Sequence, residues 1–141
     1  LGLDEVKELD EWQRKFRPRG VFMKVNLDTE DWLAFGMQPI VPVMSWTSHA
    51  FMARKPVKTV GRLAPADDIR MSGLLWPEGQ KRWGETAYLT RERKGRGQII
   101  LFAVDPNIRA YNYGSRQLFV NALLFGPGMG SRFDGPYEQQ Q

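Results

Sequence analysis

The sequence predicts an α/β (or α+β) domain, a mixed β-sheet of about five to seven short strands with flanking helices. Three observations carry that expectation. Gln98 to Val104 (QIILFAV) is a nearly continuous apolar run of strand length, rich in β-branched and aromatic residues. From Ser115 the periodicity changes, and Leu118, Phe119, Ala122, Leu123 and Phe125 fall on one side of a helix that Gly126-Pro127 ends. At the other end, Asp4 to Phe16 shows helical spacing of Val6, Leu9, Trp12 or Gln13, and Phe16.

Taken in order, Asp4 is the expected cap of the first helix, with Glu5, Lys7, Glu8 and Asp10 on its outer face. Arg17-Pro18-Arg19-Gly20 breaks it. Gly20 to Asn26 is a short strand. Asp28 or Thr29 caps a brief helix through Phe35, with Gly36 as its stop. Ile40 to Trp46 is a strand whose Pro42 favours an edge or a bulge. Ala50 to Ala53 and Val57 to Leu63 are further strands, split by Lys55-Pro56. Asp67 to Ser72 suits a helical turn before the loop Gly73 to Pro77. Thr86 to Glu92 alternates as a strand does, and Lys94-Gly95-Arg96-Gly97 fits a hairpin turn into Gln98 to Val104. That last strand, apolar throughout, is expected to be central and covered on both faces. The predicted organisation is one unit over 1–127 (a helix within 1–19, the sheet region over 20–127), with a polar tail over 128–141.

With 141 residues, 42% hydrophobic and 26% charged, the chain has the composition of an ordinary globular domain. No apolar run approaches the ~20 residues that cross a bilayer as a helix. The net charge of +4 comes from 20 basic and 16 acidic residues spread along the chain, so a nucleic-acid binder is the disfavoured reading. The chain begins at Leu1, as expected of a trimmed or processed fragment, which would place any export signal on other sequence.

Chemistry is scarce. There is no cysteine and a single histidine, His49, which suits a locally hydrogen-bonded loop residue better than a ligand or base. No G-x-S-x-G is present. Asp28, Glu30 and Asp31, or Asp67 and Asp68, lack EF-hand spacing and read as helix caps. Gly95-x-Gly97 precedes a strand and reads as a turn. Trp32, Phe35, Trp46, Trp76 and Trp83 suit core or interface packing better than a glycan-binding face. One constellation remains, the loop Asp105 to Arg116 at the carboxyl end of the apolar strand. Arg109 and Arg116 offer planar donors for a carboxylate or phosphate, and Tyr111 and Tyr113 offer stacking faces. Asp105 and Asn107 shape its start. The same residues also admit a second arrangement, in which Asp105 pairs with Arg109 or Arg116 and ties the loop down.

Several motifs carry a resemblance: Gly95-Arg96-Gly97, Ile100-Leu101-Phe102-Ala103, Asp105-Pro106-Asn107-Ile108-Arg109, Tyr113-Gly114-Ser115-Arg116-Leu118-Phe119 and Asn121-Ala122. Upstream, Leu27 to Gly36 and Ser72 to Glu78 join them in the same order. Over about Gly20 to Gly126 the chain resembles the C-terminal, glutamine-amidotransferase-like domain of large secreted zinc carboxypeptidases of the carboxypeptidase A type. The resemblance implies part of a class I amidotransferase-like, flavodoxin-like fold, its later half or a shortened version. It implies a secreted or periplasmic parent that removes C-terminal residues from peptides. Zinc is then expected only in that parent's catalytic domain, and no cofactor in this chain. The expected partner is the catalytic domain of the same parent, and exposed apolar surface is compatible with a homodimer when the chain is isolated.

Amidotransferases of that fold use a cysteine with a histidine and a glutamate. Here the corresponding strand ends in Asp105-Pro106-Asn107, a substituted relic with no imidazole. A non-catalytic accessory domain is the expected role. A ligand-binding module for a glycan, peptide or nucleotide, using Asp105, Asn107, Arg109, Tyr111, Tyr113 and Arg116, is the alternative.

Overall fold

A computed structural model of the chain describes residues 2–129. It has the α/β (α+β) class that the sequence predicts, with three helices and a six-stranded sheet. The order is α1 (Leu3–Arg14), β1 (Val21–Leu27), β2 (Ile40–Ser45), β3 (Lys58–Leu63), β4 (Arg70–Ser72), α2 (Pro77–Trp83), β5 (Ala87–Lys94), β6 (Gly97–Phe102) and α3 (Tyr113–Phe125). A short 3-10 turn at Trp32–Ala34 and a left-handed turn at Ile108–Ala110 complete it. Of the predicted tail, 130–141 lies outside the described residues.

Strands run in the order β2-β1-β3-β5-β6, and β4 shares the edge of β1 with β3. Each pairing between named strands is antiparallel, where the sequence suggested a mixed sheet. Hairpins and short excursions connect these strands, so no crossover helix forces a parallel pair. β1 is the spine. Its alternate residues Val21, Met23, Val25 and Leu27 are buried, and Val41 and Val43 of β2 lie beside them. Each such side chain withdrawn from water contributes about 1.5–3 kcal/mol. β2 is an edge strand, which is why Pro42 is tolerated there.

β6 departs from expectation. The run over Gln98 to Val104 forms a strand only to Phe102 and lies at the far edge of the sheet, not at its centre. Ile99 and Leu101 are exposed, while Ile100 and Phe102 pack inward. The hairpin turn at Gly95-Arg96 is as predicted, with Lys94 paired to Gly97. Ala50 to Ala53 makes a single bridge, Phe51 to Ala87, rather than a strand. Asp67 to Ser72 turns only at its start, and Arg70–Ser72 pairs with β1 instead. α2 has no counterpart in the sequence reading, because PEGQKRW is polar and carries a glycine. Its last residue, Trp83, is almost wholly buried and donates its indole N–H to the Phe16 carbonyl at 3.1 Å.

Caps differ as well. Gly2, not Asp4, precedes α1, and Glu5 accepts from the Gly2 amide at 2.9 Å. Asp31, not Asp28 or Thr29, caps the turn at Trp32 by accepting from the Leu33 amide at 3.1 Å. α3 crosses the sheet from β2 to β6. At its start Gly114 lies so close to Val41 that a Cβ would sit 2.9 Å from that side chain. At its middle Phe119 meets Phe102 edge-on at 6.2 Å. The face α3 buries is Ser115, Leu118 and Asn121, whereas Leu123 and Phe125 are exposed. Asn121 takes the place of an apolar residue because it donates to the carbonyls of Leu33 and Phe35 at 2.8 and 2.9 Å.

Candidate functional site

The loop between β6 and α3 is fixed at three points. Asp105 accepts from the Asn107 amide at 2.9 Å, closing a local turn after Pro106. Ser115 donates its hydroxyl proton to the Pro106 carbonyl at 2.7 Å, tying the start of the loop to the first turn of α3. Asn112 caps α3 by accepting from the Gly114 amide at 3.0 Å, and its side-chain amide donates to the Pro42 carbonyl of β2. Between these anchors Arg109 and Ala110 hold φ values of +50° and +52°. Two successive left-handed residues without glycine cost about 1 kcal/mol each, and the anchors on either side hold them there.

That backbone turns Arg109 and Tyr111 toward the β2 edge. Together with Ile108 they line a groove of about 300 Å³ whose other wall is Met44 and Trp46. The lining is almost wholly apolar, and Arg109 contributes its aliphatic stem to it. Tyr111 is exposed, and its ring lies 6.3 Å from that of Phe22. Arg109 is exposed and makes no ion pair among the described residues.

The six residues singled out in the loop therefore separate into three groups. Arg109 and Tyr111 share the groove. Asp105 and Asn107 form the turn that enters it. Arg116 stacks on Tyr113, guanidinium carbon 4.5 Å from the ring centre, at the first turn of α3. Neither arginine pairs with Asp105 among the described residues, so the tied-down arrangement is not the one adopted. Met44 is the groove residue that sequence reasoning passed over. It reaches the loop only through the sheet, and no local pattern marks it.

Elsewhere the charged and aromatic candidates have structural places. The Asp31 carboxylate is fully buried and meets Lys58 Nζ and Arg91 Nε, each at 2.9 Å; Lys58 also meets Asp28 at 2.9 Å. Burial alone would raise the Asp31 pKa, but Lys58, the Leu33 amide and Arg91 outweigh it and hold the group below the usual carboxylate range. The same contacts with Asp31 and Asp28 raise Lys58. Asp68 pairs with Lys24 at 2.6 Å. His49 shares a hydrogen bond with the Thr47 hydroxyl at 3.1 Å. Of the aromatics, Trp83 is core and Trp32 packs against it, while Phe35, Trp46 and Trp76 are exposed. Among the described residues no three of His, Cys, Asp and Glu gather as a metal site would need, and no helix is long and apolar enough to cross a membrane.

Compared with known proteins, the chain matches no family, no curated protein and no solved structure.

Proposed function

We propose that this chain is a non-catalytic accessory domain of a larger, secreted or periplasmic zinc carboxypeptidase, and that its Asp105 to Arg116 loop holds the carboxyl-terminal end of a peptide. One observation carries the binding role: Arg109, exposed and free of any ion pair among the described residues, lines an apolar, aromatic-walled groove with its stem, which leaves its guanidinium available to a ligand. A guanidinium gives a terminal carboxylate two parallel hydrogen bonds, and the groove takes the last side chain. A glycan would need several polar partners, and this lining is almost wholly apolar. Zinc, on this reading, is held by residues outside this chain, and hydrolysis occurs there.

The parent is tested by the reading frame next to this one, where an H-x-x-E motif followed by a distant histidine is expected. The groove is tested by calorimetric titration of the purified chain with N-acetyl-phenylalanine and with its amide. The free acid binds more tightly, and Arg109→Ala removes the difference, roughly a tenfold loss for one partly solvated charged contact. Equal binding of acid and amide, or an acid preference that survives Arg109→Ala, would refute the assignment.

A further inference from the structure

Among the described residues the apolar side of α1 is left largely uncovered. None of its residues is buried, and Leu3, Val6, Leu9 and Trp12 are each about half exposed or more, with Leu3 at 82%. An amphipathic helix normally forms because its apolar side is covered. The apolar side continues past the helix end through Phe16, which Trp12 meets at 4.7 Å and over which Arg82 lies at 5.9 Å. There it opens into a crevice of about 380 Å³ whose lining includes Trp12, Phe16, Arg17, His49 and Arg82 and no acidic residue.

Charge along this segment is polarised. Asp4, Glu5, Glu8, Asp10 and Glu11 precede Trp12 with only Lys7 opposing them, and Arg14, Lys15, Arg17 and Arg19 follow with no acidic residue. That order suits the helix dipole. It also makes the segment complementary to itself when reversed. Glu8 and Lys15 lie about two turns apart on the same flank. In an antiparallel pair about a two-fold axis near Trp12, each Glu8 faces the other copy's Lys15, which in its own chain reaches only the exposed Glu78, at 4.0 Å, and Val6 lies over Phe16. The acidic first turns then approach the Arg17 and Arg82 crevice.

We infer that α1 is a self-association surface, and that its occupant is the α1 of a second copy of this chain, docked antiparallel. The pairing is isologous, so every contact occurs twice and the assembly closes as a dimer. The helix is only about 18 Å long, which places the interface at the small end of specific ones and its dissociation constant in roughly the micromolar range.

Sedimentation velocity from about 5 to 500 µM tests this. The wild-type chain passes from monomer to dimer with rising concentration, and added salt weakens the dimer. Leu9→Glu is monomeric throughout while keeping the near-ultraviolet circular dichroism of the core tryptophan, since α1 contributes nothing buried. Glu8→Lys raises the dissociation constant roughly three- to tenfold, and Glu8→Lys with Lys15→Glu restores it. A wild-type chain that stays monomeric at the highest concentration overturns the proposal. So does a dimer that survives Leu9→Glu, or a charge swap that fails to restore binding.

Discussion

Asp31 offers the sharpest test of how the sheet is held to its flanking turn. Its carboxylate is fully buried, caps the turn at Trp32 and receives both Lys58 and Arg91 at 2.9 Å. Asp31→Ala removes the cap, worth about 1 kcal/mol. It also leaves two cations without their buried partner. Losing one partner of a buried pair costs about 3–5 kcal/mol, but Lys58 and Arg91 retain 44% and 23% exposure, so solvent recovers much of that. A total near 3 kcal/mol follows for Asp31→Ala. Asp31→Asn keeps a capping oxygen and loses about 1 kcal/mol less. Urea denaturation followed by tryptophan fluorescence measures both. The sign with pH is also fixed. The Asp31 pKa is lower folded than unfolded, so its contribution is complete above the ordinary carboxylate range and fades as pH falls toward the folded value. Asp31→Asn therefore loses its disadvantage in acid. A loss below 0.5 kcal/mol (roughly the noise of a surface substitution), or a difference from wild type that does not shrink in acid, would refute the reasoning.

Three further outcomes can be measured in the same way. Asn121→Ala leaves the Leu33 and Phe35 carbonyls without their donor and should cost about 2–3 kcal/mol. Tyr88→Phe should be neutral or stabilising, because the Tyr88 hydroxyl is buried with no hydrogen-bond partner among the described residues; burial and the nearby Asp105 charge both hold that hydroxyl protonated at any ordinary pH. Gly61→Ala should cost about 1–3 kcal/mol by overpacking, since the added methyl would lie 3.1 Å from both Val25 and Leu27 side chains.

Local signals explain which parts of this fold were legible in the sequence. The short apolar run GVFMKVN placed β1, Pro42 marked β2 as an edge or a bulge, and Gly95 with Gly97 marked the β5–β6 turn. β6 misled because its apolar residues point both ways. One set packs under α3, and the other, Ile99 and Leu101, remains on an open face, a distinction no single-strand pattern contains. α2 is short and polar, so periodicity is silent there, although Pro77 at its first position was a usable start signal. In the loop, residue types pointed to Arg109 and Tyr111. Their grouping with Met44 and Trp46, and the separation of Tyr113 and Arg116, depend on the sheet pairing of β1 with β2 and on the left-handed backbone at Arg109.

The central claim is that this chain recognises a carboxylate-bearing apolar group beside Arg109. Amide chemical-shift mapping of the labelled chain during addition of N-acetyl-phenylalanine tests it most directly. Saturable shifts are predicted at Met44, at the Trp46 indole and from Ile108 to Tyr111, and the amide should need roughly tenfold more ligand to produce them. Shifts centred instead on the cleft between Phe51 and Leu101, or none at the Arg109 groove, would contradict it.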